Sequence, residues 1–174
     1  MLMVEIRQLT AEDGRQYVGA LADVLLDCVA GGASVSFMAS LSKADAESFF
    51  EGVLQGVQRG DRILLAAFSE STLVGTVQIL TAMPPNQPHR AEIAKLLVLR
   101  TARGRGIGSL LMQRAEEAGR RAGKTLLVLD TATGGPAEAL YASLGWSRVG
   151  VIPRYALSPD GALCDTTIFF KRLD

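Results

Sequence analysis

The spacing of apolar residues divides the chain into short segments that predict strands and helices in turn. Val4 to Leu9 alternates apolar with polar residues, as is typical of a half-buried strand. Apolar residues then recur at helical spacing from Val18 to Val29, which predicts one helix that starts at Thr10 and ends at Gly31. The same pattern further along predicts helices over 42–60, 106–122 and 136–144, strands over 63–68, 73–80, 91–99 and 125–130, and two final strands.

The order of these elements indicates the fold class. Three prolines between Met83 and His89 predict a loop, and Ser158 to Gly161 is a turn between the last two strands. The succession of strand, two helices, three strands, helix, strand, helix and two strands predicts an α+β fold with a twisted mixed sheet of about seven strands and four helices. The sequence contains no linker, repeat or low-complexity tract, so residues 1–174 are predicted to form one domain.

Composition and charge exclude several classes of function. The chain is 48% hydrophobic and 21% charged, and its 18 basic residues equal its 18 acidic ones, so no overall charge attracts nucleic acid or an anionic membrane. No apolar run approaches the ~20 residues of a membrane helix, and the segment from Met1 to Arg7 has no targeting character. Cys28, Cys164 and the single His89 have no metal-ligand spacing, and we expect both thiols to be free and buried.

One turn between a strand and a helix is built to hold an anion. Its residues are Arg103, Gly104, Arg105, Gly106, Ile107, Gly108 and Ser109. Glycines let backbone N–H groups converge without a Cβ in the way, and a helix start offers unpaired amides to a negative charge. Two arginines in the same turn point to phosphate. The spacing Arg-x-x-Gly-x-Gly differs from the phosphate loop of nucleotide hydrolases and from a dinucleotide fingerprint, and a plain strand-to-helix turn is the alternative.

A second motif follows the next predicted strand. The short helix there carries Ala137-x-x-x-Tyr141 and ends in Gly145-Trp146. The two motifs, in this order and separated by a helix and a strand, resemble the two signatures of the GNAT superfamily, the acetyl-CoA-dependent N-acetyltransferases. The resemblance extends over nearly the whole chain.

This resemblance implies where the cofactor binds. In the GNAT fold the fourth and fifth strands run parallel and splay apart, and the pantetheine arm of acetyl-CoA enters the gap between them. By analogy, Leu96 and Val98 offer backbone groups to the cofactor, and the turn 103–109 binds its pyrophosphate. The family often has an asparagine seven residues before the tyrosine. This chain has Gly134 there, so one side-chain contact to the cofactor arm is not implied.

Three side chains are candidates for the chemistry. An amine with a pKa of about 10.4 is mostly protonated at neutral pH, so its attack on a thioester needs a base. Glu92 matches the glutamate base of histone-acetylating relatives, and the alternative is a solvated carboxylate paired with Arg90 or Lys95. Asp130 is a second candidate base or an anchor for the substrate ammonium, unless it only caps the following loop. Tyr141 stands where the family has a general acid toward the CoA sulfur, and packing alone is its alternative role.

The acceptor is defined only by a narrower resemblance. Segments that include 31–38, 91–99 and 158–161 resemble the tabtoxin-resistance branch of the superfamily, whose enzyme acts on a β-lactam toxin. This implies a small-molecule amine, with toxins and antibiotics as candidates, that attacks directly in a ternary complex. A protein lysine acetyltransferase and a non-catalytic acyl-CoA sensor stay open as alternatives. We expect a cytoplasmic monomer or homodimer without nucleic-acid, membrane or metal partners.

Overall fold

The computed structural model describes residues 4–174, so the first three residues of the segment expected to lack a targeting signal lie outside it. The described elements are, in chain order, β1 (Val4–Leu9), α1 (Ala11–Arg15), α2 (Val18–Ala30), α3 (Lys43–Arg59), β2 (Arg62–Ser69), β3 (Thr72–Leu80), β4 (Arg90–Val98), α4 (Ile107–Arg121), β5 (Leu126–Ala132), α5 (Pro136–Ser143), β6 (Ser147–Leu157) and β7 (Leu163–Arg172). A single 3-10 turn, Arg100–Ala102, lies between β4 and α4. Within this part of the chain no helix has the length and apolar character needed to span a bilayer.

The seven strands form one mixed sheet in the order β1-β2-β3-β4-β5-β7-β6. Its neighbouring strands are antiparallel except for β4 and β5, which are parallel. That parallel pairing covers only three positions, from Arg90 opposite Leu126 to Glu92 opposite Val128. The two strands then separate. The α+β fold and the splayed pair are therefore confirmed.

Helix boundaries follow local sequence signals closely. The Ser42 hydroxyl caps α3 by accepting from the Asp45 amide at 3.1 Å, and Gly60 ends the helix with a left-handed φ of 79°. Pro136 stands in the first turn of α5, where its missing N–H costs no hydrogen bond. Because these signals are local, the predicted bounds of α3, α4 and α5 agree with the observed ones to within one residue at each end.

The prediction of one helix over residues 10–31 is wrong, because two helices replace it. The Tyr17 amide donates to the Gly14 carbonyl at 2.9 Å, a three-residue spacing that tightens the chain between Arg15 and Val18. The break lets Gly14 lie directly against Leu54 of α3, where a Cβ would collide with the leucine side chain. The described residues thus contain five α-helices where the sequence predicts four.

Helices cover the two faces of the sheet unequally. Helices α4 and α5 pack on one face, against buried side chains from β2 to β5 and from β7. Helices α2 and α3 pack on the opposite face, against β2, β3 and β4. On that second face, Val128 of β5, Phe170 of β7 and Val149 of β6 line a cavity of about 500 Å³. Within residues 4–174, the second face of the sheet is therefore not covered by a helix at the paired end of β4 and β5, before the gap.

Candidate active site

The gap between β4 and β5 begins just beyond Glu92. Lys95 has a left-handed φ of 53°, and the pairing of β4 with β3 shifts register at this point, which marks a β-bulge. Beyond the bulge, the Leu99 amide donates to the Val74 carbonyl of β3 at 2.9 Å. Backbone groups alternate in direction along a strand, so those of Val98 point away from β3 and into the gap. A strand-like ligand could pair with this edge.

The turn after β4 has the geometry of an anion site. Gly104 and Gly106 adopt left-handed φ angles of 75° and 77°, and a Cβ at either position would meet no atom within 4 Å. Gly106 caps α4 without a side-chain hydrogen bond, and the first helical bond runs from the Leu110 amide to the Gly106 carbonyl. The amides of Ile107 and the two residues after it, Gly108 and Ser109, therefore have no acceptor inside the helix. An open cradle of free amides fits the pyrophosphate of acetyl-CoA.

The arginine side chains of this turn lie against the protein backbone. Arg103 donates from Nε to the Val98 carbonyl at 3.1 Å, and its other end approaches the Cys28 sulfur at 3.5 Å. Arg105 donates to the Thr101 carbonyl at 3.3 Å. The Val98 carbonyl therefore already has donors, whereas the N–H of this residue points into the gap.

Tyr141 of α5 is a buried side chain with a polar end. Its residue is 5% exposed, and its ring packs between Trp146 and Phe169 at centroid distances of 6.0 and 5.7 Å. Burial, helped by the charge of Asp130, raises the pKa of the Tyr141 phenol to about 12. The hydroxyl is consequently protonated throughout the neutral range.

A buried ion pair holds the chain just after Tyr141. The Glu116 carboxylate accepts from the Trp146 indole at 3.0 Å and from the Lys171 ammonium at 2.8 and 2.9 Å. Lys171 also donates to the Leu144 carbonyl at 2.7 Å. These bonds join α4, β7 and the turn after α5, so the tyrosine sits on a rigid support.

Glu92 lies at the fork where the two strands separate. It accepts a hydrogen bond from Arg90 at 2.7 Å, and its side chain is 43% exposed. Of the two partners expected for a solvated carboxylate, Arg90 is therefore present, while Lys95 reaches elsewhere.

Asp130 shares a face of the sheet with Glu92. Glu92 pairs with Val128 of β5. Residues two apart on a strand point to the same side, so the side chain of Asp130 lies on the same face as those of Val128 and Glu92. Asp130 accepts a hydrogen bond from the Thr166 hydroxyl at 3.1 Å and is exposed. Both carboxylates therefore border the surface beside the gap.

A pocket of about 310 Å³ lies next to Asp130. One wall is the loop between α2 and α3, with Ser36 and Phe37, and the other is the β6–β7 hairpin, with Tyr155 and Cys164. The loop is fastened to the hairpin. The Ser34 hydroxyl donates to the Leu157 carbonyl at 3.1 Å, and the Ala39 amide donates to the Pro159 carbonyl at 3.0 Å. The loop and the hairpin therefore form two connected walls of a pocket that stays partly open to solvent.

Two residues of this region have roles that the sequence does not predict. Cys164 was expected to be buried, but it lines the pocket with its sulfur 3.4 Å from the Ser34 hydroxyl. Lys95 reaches across from β4 to the Ser36 hydroxyl at 3.1 Å. Sequence signals could not find either contact, because the partners lie more than fifty residues apart. Cys28 is buried, as expected.

Comparison with known proteins agrees with this geometry. A model of the Acetyltransferase (GNAT) family matches residues 33–146. The structure of yncA, a candidate acetyltransferase from Salmonella typhimurium with its cofactor acetyl-CoA, is 18% identical, with 98% of this chain and 94% of that chain covered and a TM-score of 0.80. Ribosomal-protein-alanine N-acetyltransferase from Brucella melitensis is 23% identical over 97% and 99% of the two chains, with a TM-score of 0.79. A candidate phosphinothricin N-acetyltransferase is 20% identical over 99% of each chain, with a TM-score of 0.81.

The family match spans most of the chain and includes both the glycine-rich turn before α4 and the helix that carries Tyr141. The structural neighbours share this fold, and the structure of one of them contains acetyl-CoA. The splayed strands and the free amides of the turn supply the physical reason for this agreement. The chain therefore belongs to the GNAT family and is an acetyltransferase that uses acetyl-CoA.

Proposed function

We propose that this enzyme moves the acetyl group of acetyl-CoA to an amine of a small molecule, by direct attack while both substrates are bound. The small volume of the pocket beside Asp130 and the joining of its two walls carry this proposal. Bonds from Ser34 and Ala39 to the β6–β7 hairpin cover a volume of about 310 Å³, which is the lower end of the range for small-molecule sites. A lysine on a protein surface would need an open groove at this place.

The chain's own residues would hold the cofactor in two places. The turn 103–109 would bind the pyrophosphate through its free amides, and the gap-facing backbone of Leu96 and Val98 would pair with the pantetheine arm. When bound, acetyl-CoA supplies an acetyl group already activated as a thioester. The protein then has to position the amine, remove a proton from it and provide a proton for the sulfur.

We assign the base to Glu92 and the amine anchor to Asp130. Glu92 stands at the fork of the strands, and the ion pair with Arg90 fixes the direction of its carboxylate. Asp130 borders the acceptor pocket, where an exposed carboxylate can receive a substrate ammonium. The ammonium would give up its proton toward Glu92, directly or through water, and the neutral amine would then attack.

Tyr141 is the proposed proton donor to the sulfur. Its pKa of about 12 keeps the hydroxyl protonated at every pH at which the enzyme is expected to work. Packing against Trp146 and Phe169 holds the ring in one place, so little conformational entropy is lost when the hydroxyl meets its partner. A non-catalytic acyl-CoA sensor would have no need of this donor or of the carboxylate at the fork.

The identity of the acceptor is a finer proposal. The resemblance of the sequence to tabtoxin-resistance acetyltransferases favours a toxin or antibiotic that carries an amine. Structural neighbours include one enzyme that acts on a ribosomal protein and one candidate that acts on phosphinothricin, so the fold is compatible with both kinds of acceptor. The small volume of the pocket and its connected walls are the features that favour the small molecule.

A thiol-release assay tests this function. The enzyme is mixed with acetyl-CoA and with a panel of simple amines, polyamines, amino acids, β-lactam antibiotics with free amines, and lysine peptides. We expect release of free CoA with at least one small acceptor and none above background with the peptides. A preference for lysine peptides would overturn the small-molecule proposal. Tight binding of acetyl-CoA without turnover of any acceptor would favour the sensor.

A further inference from the structure

Lys95 occupies an unusual position between the cofactor gap and the acceptor pocket. It stands on the β-bulge of β4 in a left-handed conformation, which is uncommon for any residue with a Cβ. Its ammonium donates to the Ser36 hydroxyl at 3.1 Å and lies 6.0 Å from the centre of the Phe37 ring. Both of those residues line the acceptor pocket. The bulge thus brings a cation into contact with one wall of the proposed acceptor pocket.

This cation has no ion-pair partner within the described part of the chain. Nine ion pairs occur among those residues, and neither Lys95 nor Asp130 belongs to any of them. Lys95 is only partly exposed, and burial lowers the pKa of its ammonium while the nearby Asp130 charge raises it. The other charge that acts on it is the cation Arg62, which donates to Gln78. A charge held away from water normally has a partner.

Asp130 lines this pocket, and the Lys95 ammonium contacts one of its walls through Ser36, so two charges of opposite sign that belong to no ion pair among the described residues lie at one site. A molecule that carries an amine and an acidic group would give each charge an ion-pair partner, because its ammonium would meet Asp130 and its acidic group would meet Lys95. A simple amine or a polyamine would leave the lysine charge unpaired and would be repelled by it. The hydroxyl of Ser36 would give the acidic group a second hydrogen-bond donor once it turns from the lysine.

We propose that Lys95 and Ser36 form a subsite for an oxyanion, and that the acceptor is a zwitterion whose carboxylate or similar acid binds there while its amine faces the thioester. This inference rests on the proposed function, because it names the class of small molecule that the enzyme acetylates. Lys95 acts in it as a specificity-determining residue and takes no part in the acetyl transfer itself.

Matched sets of acceptors test the subsite. Each set contains an α-amino acid, its amide, and the amine that lacks the carboxyl group: lysine, lysinamide and cadaverine, or phenylalanine, phenylalaninamide and phenethylamine. Release of CoA is followed with saturating acetyl-CoA. We expect kcat/KM for the acids to exceed that for the amides and amines by about tenfold or more, because a charge-assisted hydrogen bond contributes at about this level.

Variants then show which residue is responsible for the preference for acids over amides and amines. Lys95→Met should raise KM for the acid at least tenfold and remove its advantage, with little change in KM for acetyl-CoA, whereas Lys95→Arg should keep part of it. Methionine and lysine have the same Cβ, so the strain at the positive φ is unchanged and the charge is what the substitution removes. Ser36→Ala should raise KM for the acid by a smaller factor. Lys43→Met, on the exposed surface of α3, is the matched control and should leave the preference intact.

The outcomes separate the subsite from the enzyme activity. Amides and amines acetylated as efficiently as the acids, or a preference that survives in Lys95→Met, would overturn the subsite while leaving the acetyltransferase proposal in place. Failure of every acceptor in the panel, with acetyl-CoA bound normally in calorimetry, would overturn the proposed function and the subsite with it. Circular dichroism of each variant confirms that the fold is retained.

Discussion

A single substitution in the turn before α4 tests whether this turn binds the cofactor. Gly106 has a φ of 77° and caps α4, so its position lies beside the free amides of Ile107 and Gly108. A valine there keeps its side chain out of the protein interior, since a Cβ at this position meets no atom within 4 Å. The β-branched side chain would instead occupy the space that a phosphate needs. Gly106→Val should therefore bind acetyl-CoA much more weakly.

The size of the effect can be worked from this geometry. A left-handed backbone with a β-branched residue costs roughly 1–3 kcal/mol, which the variant can relieve only by moving the turn. A hydrogen bond to a charged group contributes about 1.5–3 kcal/mol, so the loss of one amide contact corresponds to roughly a 10- to 100-fold rise in Kd. Displacement of the whole turn would remove several contacts at once. We expect a rise in Kd of at least 10-fold.

A matched glycine distinguishes local blocking from general strain. Gly123 follows the other end of α4, has a φ of 73° and also has open space around its Cβ. Gly123→Val therefore introduces comparable backbone strain far from the turn. Calorimetry with acetyl-CoA on both variants, each checked by thermal unfolding, should show weak binding only in Gly106→Val. An unchanged Kd in Gly106→Val, or the same loss in both variants, would refute the assignment of the turn.

The remaining predictions concern the candidate catalytic side chains. Tyr141→Phe should lower kcat about 100-fold while Kd for acetyl-CoA stays within twofold, because the ring packing is kept and only the proton donor is lost; a kcat within twofold of wild type would make the residue structural. The folded-state pKa of this phenol is raised, so the unfolded chain loses the proton first, and the unfolding free energy of the wild type should fall between about pH 10 and pH 12 more than that of Tyr141→Phe; parallel curves would contradict the raised pKa. Glu92→Gln should lose activity most near neutral pH and recover as alkaline solution frees the amine, while Asp130→Asn should act mainly on acceptor KM; the reverse pattern would exchange the two roles.

The parts of the molecule that the sequence predicts well are those controlled by neighbouring residues. The α3 helix starts at a serine that caps it and ends at a glycine with positive φ, and both signals are local. The same holds for the turn before α4, whose glycines adopt the conformations that only glycine takes readily. The splayed strands follow from the family resemblance, and the short parallel pairing from Arg90 to Glu92 confirms them.

Contacts between distant segments account for what the sequence could not predict. The break after Arg15 depends on how closely Gly14 approaches Leu54 of another helix. The inward turn of Arg103 depends on a carbonyl and a thiol brought together only by folding. The left-handed Lys95 has no signature at all, because lysine is not a residue whose presence marks a positive φ.

This difference also explains why a family can be assigned more easily than a substrate. The proposed cofactor site is made of backbone groups within a few residues of one another, so a short motif is enough to describe it. The proposed acceptor pocket is made of side chains from β5, the α2–α3 loop and the β6–β7 hairpin, with Lys95 of β4 in contact with that loop, and their order in the chain carries no pattern. Substitutions in the pocket can change the acceptor while the motif remains the same. In the proposed subsite, the charges of Lys95 and Asp130 would select the substrate, and a resemblance of the whole chain would not report them.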